Sequence, residues 1–358
     1  MDMGQKIPNG ILEDNCPRQM WWVAAFGEEI TEQPFCRWIL DTPIVLYRDA
    51  ENKPVALYDR CPHRWAPLSQ GCVKQGHIVC PYHGMEFSSD GKCVAAPTNT
   101  HPPKSAHVRS FPTFETGAFV WIWMGDPDMM TEAPVDMGYS THPEWSFVHG
   151  YYHVAANWIL IRENVMDLTH IPFLHQNTFR QNDWVTPAES YLDGDMVRYE
   201  QDFAPSTLSP LFCAGIGISE DQLVKRKQVG LMPSLAVSFS DWHIHVLGQP
   251  TDTRTDFLMR GCHVVTPAKK GQSHYFWGAA FDVPNLSEDV QKSTFKAISQ
   301  AFQEDRVLLE QLQENVTQDP AGLQYPEITM AGDSAGIKVR QVLVKKLKKE
   351  GRSLDRHG

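Results

Sequence analysis

Two short cysteine–histidine pairs, Cys61-Pro62-His63 and Cys80-Pro81-Tyr82-His83, stand in the spacing C-x-H-x16-C-x2-H. No other feature constrains the chain as strongly, because the two segments must form matching loops that bring two thiols and two imidazoles to one point. Pro62 and Pro81 fix φ directly after each cysteine and stiffen both loops. Gly84 follows the last histidine, where a side chain would hinder close approach of the backbone to whatever the loops hold. Such loops need short strands to carry them, and the stretch from about 18 to 125 supplies them. Pro43-Ile44-Val45-Leu46-Tyr47, Pro54-Val55-Ala56-Leu57-Tyr58 and Ala118-Phe119-Val120-Trp121-Ile122-Trp123 are β-branched or aromatic runs bounded by Gly, Pro, Asp or Asn.

Two cysteines and two histidines form the ligand set of a Rieske [2Fe–2S] centre, in which two imidazoles replace two thiolates on one iron. In that reading Cys61 and Cys80 hold one iron, and His63 and His83 hold the outer one. Zinc takes the same donors and is the rival. Ordinary zinc signatures, however, group Cys with Cys and His with His, whereas each loop here carries one of each.

A polar, Pro-containing stretch from Gly125 to about Pro143 reads as a linker, dividing the chain into residues 1–125 and 126–358. The second part has an early helix over about 157–170 and long strands at Leu235–Leu247, Asp256–Thr266 and His274–Phe281. Two helices follow, over about 287–315 and 334–349. Strands with helices segregated at the ends predict an α+β fold with an antiparallel sheet. The terminal Lys345-Lys346-Leu347-Lys348-Lys349 reads as a solvated helix end whose cations suit the dipole.

The early helix carries a second candidate metal site. Asp167 and His170, three residues apart, fall on one helical face, and Pro172 is expected to end the helix near His170 so that the chain can turn His175 back beside it. Two imidazoles want a carboxylate to complete the 2-His-1-carboxylate triad of non-haem Fe(II) oxygenases. The late helix offers one. Its apolar stripe runs Phe295, Ile298, Phe302, Leu309 and Leu312, and Asp305 occupies the missing place. A carboxylate there is costly unless it binds metal or pairs with a buried arginine, and both readings stand. Glu304, one residue off the stripe, is expected to face solvent. Asn164 is placed beside the iron site as a hydrogen-bond donor, or as a helix cap.

These motifs resemble the oxygenase component of the Rieske non-haem iron oxygenases over nearly the whole length. The Asn164-x2-Asp167-x2-His170-x4-His175 spacing, the Glu304-Asp305 helix and His274-Tyr275-Phe276-Trp277-Gly278 are most similar to the vanillate and dicamba O-demethylase branch. The resemblance implies a Rieske domain followed by a helix-grip catalytic domain, with antiparallel sheet and long helix, and a head-to-tail homotrimer. It implies that electrons cross between subunits, with Asp167 linking His83 of the partner subunit to His170. It implies Fe(II) held by His170, His175 and Asp305, a ferredoxin or flavin reductase as electron donor, and dioxygen and an aromatic compound as substrates. Demethylation at O or N is the expected reaction, with cis-dihydroxylation of a ring and a non-catalytic Rieske electron carrier as alternatives. The family commonly has Gly where this chain has Trp65 and Trp where it has Met85.

Composition narrows the partners. Lys and Arg number 32 against 43 Asp and Glu, and a net charge of −11 argues against nucleic acid. No run of 18 apolar residues and no secretory leader are evident, so a cytoplasmic, membrane-free location is expected. The six cysteines outside the motif have no framework spacing and are expected to be reduced and mostly buried. Of the histidines on the strands, His243, His245 and His263 are candidates to face a substrate pocket.

Overall fold

The run Phe119–Trp123 is buried at every position, which a strand satisfies only at the centre of a covered sheet. In the computed structural model, which describes residues 16–130, 132–176, 178–179, 188–250, 252–318 and 328–352, it lies between two partners. The chain divides into two units, one of Pro17–Gly138 with Thr266–Lys270, the other of Tyr139–Val265 and Gly271–Gly358 with the N-terminal residues.

The first unit is all-β. Strands β1 (Trp21–Phe26), β2 (Phe35–Ile39), β3 (Thr42–Arg48) and β4 (Pro54–Tyr58) precede four short strands, β5 (Cys72–Lys74), β6 (His77–Val79), β7 (Glu86–Phe87) and β8 (Cys93–Ala95). Strands β9 (Ser110–Phe111), β10 (Thr113–Thr116) and β11 (Phe119–Trp123) complete it. They form three sheets, β1-β11-β10, β2-β3-β4-β9 and β5-β6-β7-β8. Val45, Tyr47, Leu57, Leu68, Ile78 and Phe87 pack with Cys61 and Cys80 into one core, so the motif cysteines are rooted in packed side chains. The segment Thr266–Lys270 is bound into this unit by Thr266 Oγ1, which donates to the Val23 carbonyl, and by Leu40 N and Asp41 N, which donate to the carbonyls of Pro267 and Ala268.

The second unit is built on one seven-stranded sheet. Its strands are β12 (Ser146–Val154), β13 (Glu189–Asp193), β14 (Met196–Ser206), β15 (Val224–Ser234), β16 (Val237–Val246), β17 (Asp256–Pro267) and β18 (Ser273–Phe281). The order is β12-β18-β17-β16-β15-β14-β13, a meander closed at one edge by the first strand. Helix α1 (Trp158–Asn164) follows β12, α2 (Ile171–Leu174) comes next, α3 (Pro210–Ile216) follows β14, and α4 (Glu288–Gln318) and α5 (Ser334–Lys349) close the unit. Helix α4 is docked on the sheet. Tyr152 of β12 donates to the Ser299 carbonyl at 2.9 Å, and Phe302 packs edge-on against Tyr275 and Trp277 of β18. At Gly278 of β18 an added Cβ would lie 2.2 Å from the Phe147 ring, so the cross-strand aromatic leaves room for glycine alone.

The expected stripe on α4 needs correction. The buried face is Thr294, Ile298, Ala301, Asp305 and Leu309, whereas Phe295 and Leu312 are exposed. Asp305 is on the inner face all the same, because steps of three and four from Ile298 lead to it. The cysteines also depart from expectation. None of the eight forms a disulfide among the described residues, but outside the motif only Cys16, Cys213 and Cys262 are buried, with Cys36 and Cys72 exposed. Among the described residues no helix is long and apolar enough to cross a membrane.

Candidate metal centres

The two cysteine–histidine loops are built alike. Cys61 N donates to the Ala66 carbonyl and Cys80 N to the Met85 carbonyl, at 2.9 and 2.8 Å. In return the Cys61 carbonyl accepts from Trp65 N at 2.9 Å and the Cys80 carbonyl from Gly84 N at 3.1 Å. Each loop thus turns back on itself through a residue in the left-handed region, Trp65 at φ 63° and Gly84 at φ 68°. Gly84 is there for its φ, and an added Cβ would meet nothing nearer than Pro97 at 3.2 Å. Trp65 holds the same conformation at a cost of about 1–2 kcal/mol, partly offset by the Arg60 guanidinium 4.5 Å above its ring.

The loops bury both sulfurs' residues almost completely and bring the His63 and His83 ring centroids to 4.6 Å. Burial, with the Cys80 sulfur as a neighbour, pushes the Cys61 thiol up to about 11 against the opposing amides of His63 and Arg64. His83 Nδ1 is buried without a hydrogen-bond partner. An imidazole nitrogen left in that state fits a metal ligand, as the paired thiols do.

The second constellation is in the other unit. Asn157 caps α1 by accepting from Ile159 N, but the helix ends at Asn164 rather than near His170. Asp167 is therefore not on a helical face. It is extended, and its Oδ1 accepts from Thr169 N at 2.9 Å and Thr169 Oγ1 at 2.7 Å, starting a new turn over Leu168–His170. Pro172 does not end a helix; it stands in the first turn of α2, where its missing N–H costs nothing. This broken path, not one continuous helix, presents both imidazoles. The Asp167 main-chain carbonyl accepts from His170 Nδ1 at 2.6 Å, a contact expected of its carboxylate.

His170 Nε2 and His175 Nε2 lie 3.4 and 3.3 Å from Asp305 Oδ1. His175 Nδ1 donates to Glu304 Oε2 at 2.8 Å, and Glu304 Oε1 accepts from Thr178 at 2.8 Å. Glu304 is thus not a solvent-facing residue but the support of His175. The residue itself was visible in the sequence; its role was not, because one step along a helix turns a side chain about 100° and His175 was not yet placed. Asn164 Nδ2 donates to Asp305 Oδ1 at 3.2 Å, so Asp305 is held by an amide rather than a buried arginine.

Both Nδ1 atoms face pure acceptors and so carry the protons, which leaves two Nε2 lone pairs and a carboxylate oxygen aimed at one another. One ligand atom from each of His170, His175 and Asp305 falls within 4.8 Å of the others. Such a cluster of lone pairs wants a cation. At His170 burial lowers the pKa despite Asp305; at His175 burial acts the same way, but Asp305 and Glu304 outweigh it and the pKa rises. Replacing Glu304 by Ala removes the acceptor on His175 Nδ1. We expect iron affinity to fall by roughly 10–100-fold, read by competition with a chelator, with the [2Fe–2S] absorption unchanged.

Beside the triad lies a cavity of about 110 Å³, lined by Asn164, Phe179, Trp242, Arg260, His263 and Phe302 among others. That is below the about 150 Å³ that holds benzene, so the enclosed space is on the scale of one aromatic ring at most. Of the three strand histidines only His263 reaches it. His243 and His245 are exposed beside a different surface pocket, where His245 pairs with Asp256.

Residues 20–112 match the model of the Rieske [2Fe-2S] domain, and residues 154–349 match the vanillate O-demethylase oxygenase C-terminal domain. The dicamba O-demethylase oxygenase component of Stenotrophomonas maltophilia is 32% identical over 92% of this chain and 97% of its own. The chain belongs to the Rieske non-haem iron oxygenases. The vanillate O-demethylase oxygenase subunit of a Pseudomonas strain is 29% identical over 95% of this chain and 97% of that protein. A crystal structure of dicamba monooxygenase bound to 3,6-dichlorosalicylic acid superposes with a TM-score of 0.85 at 30% identity, covering 93% of this chain and 98% of that one. This Rieske oxygenase is accordingly a two-cofactor enzyme, with a [2Fe–2S] cluster and a mononuclear iron, and serves as the oxygenase component of a monooxygenase that receives its electrons from another protein. The zinc and pure electron-carrier readings fall with that assignment.

Proposed function

We propose that this chain is the terminal component of an O- or N-demethylating monooxygenase acting on a methoxylated or N-methylated aromatic compound. The observation that carries the reading is the triad of His170, His175 and Asp305 beside a ring-sized cavity with aromatic walls. Relatives named for O-demethylation of dicamba and vanillate support it, as does one named chloroacetanilide N-alkylformylase from Rhizorhabdus wittichii.

The roles follow from the residues. Cys61, His63, Cys80 and His83 would hold the cluster in the all-β unit. His170, His175 and Asp305 would hold Fe(II), which would supply the dioxygen chemistry for hydroxylating the methyl carbon. Asn164 fixes the Asp305 carboxylate, Glu304 fixes the His175 ring, and the Asp167 carbonyl fixes His170. The Asp167 carboxylate uses Oδ1 on Thr169. We assign its Oδ2 the task of accepting from His83 of the partner subunit in a homotrimer, so that Asp167 joins that ring to His170 through its own main-chain carbonyl. A flavin reductase, alone or with a ferredoxin, supplies electrons from NAD(P)H in the cytoplasm. The balance is one methoxyarene, one dioxygen, two electrons and two protons giving a phenol, formaldehyde and water.

The test is a formaldehyde assay over methoxylated and N-methylated aromatics with a surrogate reductase. One formaldehyde per NADH oxidised, with loss of one methyl group, is the expected result; a cis-diol without formaldehyde overturns it.

A further inference from the structure

The cavity wall away from the triad carries one cation among the described residues, Arg260 of β17. Its charge is already used. Arg260 Nε and Nη2 donate to the two carboxylate oxygens of Asp241 at 2.7 and 2.6 Å, a bidentate pair set by the register of β16 and β17. Asp241 is buried, and the guanidinium sits 4.9 and 4.7 Å from the ring centroids of Tyr139 and Phe239. The pair is therefore fixed at one edge by a carboxylate and flanked by two aromatic rings. His263, the other basic side chain on that wall, is fully enclosed and holds Tyr275 through Nδ1 at 2.8 Å. Burial and the Arg162 charge push its pKa down to about 3, so it stays neutral.

We infer that Asp241 sets the charge of the substrate: by neutralising Arg260 it makes the cavity select an uncharged aromatic ether or amine over an aromatic carboxylate. The inference rests on the reading that the substrate occupies this cavity. An anion entering it gives up its water shell and meets no uncompensated cation among the described residues of that wall. Arg260 keeps the N–H groups of Nη1 as donors, which suit a neutral oxygen acceptor such as an ether, amide or ester. Asp241 acts through Arg260 and is a positioning residue for specificity.

The test is calorimetric binding of 3-methoxybenzamide and 3-methoxybenzoate, which have nearly the same shape and differ in charge, to the anaerobic holoenzyme. The benzamide is expected to bind at least tenfold more tightly. Asp241→Asn frees the Arg260 charge and is expected to shift the benzoate-to-benzamide affinity ratio at least tenfold toward benzoate. Arg260→Gln leaves Asp241 unpaired and is expected to weaken benzoate further. Benzoate binding as tight as benzamide in the wild type, or binding of neither, overturns the inference, as does an Asp241→Asn protein that folds and keeps the wild-type ratio. Should Asp241→Asn fail to fold, the wild-type ratio and Arg260→Gln still decide. Formaldehyde release from any methoxyarene with a preference for benzoate would sink this inference and spare the demethylase reading; the reverse pattern would sink the reading alone.

Discussion

Asp305→Ala protein is expected to purify with its brown [2Fe–2S] colour, to lack the mononuclear iron and to form no product. Under the proposed assignment the two centres share no ligand, the cluster taking Cys61, His63, Cys80 and His83 and the mononuclear iron taking His170, His175 and Asp305. Removing a partner that only orients a metal-bound histidine costs roughly 10–100-fold, so deleting a ligand must cost more, and we expect at least about 1,000-fold in activity. The fold should survive. Asp305 is a buried carboxylate whose protein neighbours are two imidazole lone pairs and one amide, and a small apolar residue replaces it without leaving an unpaired charge. Iron and sulfide counts with near-ultraviolet circular dichroism check this. Retention of the second iron, or loss of the cluster with it, would refute the assignment.

Asp167→Asn is expected to keep both metals and lose at least about 100-fold in turnover. Asparagine preserves an oxygen for Thr169 N and Oγ1, so the turn over Leu168–His170 persists, and the His170 ring remains held by the main-chain carbonyl, which the substitution does not touch. What changes is the charge and the acceptor power of Oδ2, the atom assigned to the link between subunits. Rapid-mixing reduction should show a cluster that accepts electrons from the reductase at the normal rate but passes them on slowly. An unchanged rate of cluster reoxidation with substrate and dioxygen would remove Asp167 from the electron path.

Much of this was legible before any coordinates. The proposed cluster ligands stand out in the sequence because thiols and imidazoles at a fixed short spacing have few other uses. Asp305 was readable because a carboxylate on a buried helical face needs a reason, although the face itself was misdrawn: Phe295 and Leu312 are hydrophobic by type yet exposed. The path from Asn164 to His175 was not legible. Propensity could not show that Asp167 caps a fresh turn, nor that Pro172 begins a helix, since proline both ends and starts helices depending on which carbonyls precede it. Glu304 and the Asp241–Arg260 pair were out of reach for another reason. Both depend on contacts between elements distant in the chain, and only the strand register and the docking of α4 create them.

The five residues Thr266–Lys270 give the front unit a second attachment to the chain. A fragment ending at 138 would omit them, leaving Leu40 N, Asp41 N and the Val23 carbonyl without their partners, at a cost on the order of 1 kcal/mol for each bond lost. The front unit of this chain is therefore not a simple N-terminal cassette. A transplant must also carry the matching end of β17, the same strand that supplies Arg260 and His263 to the cavity.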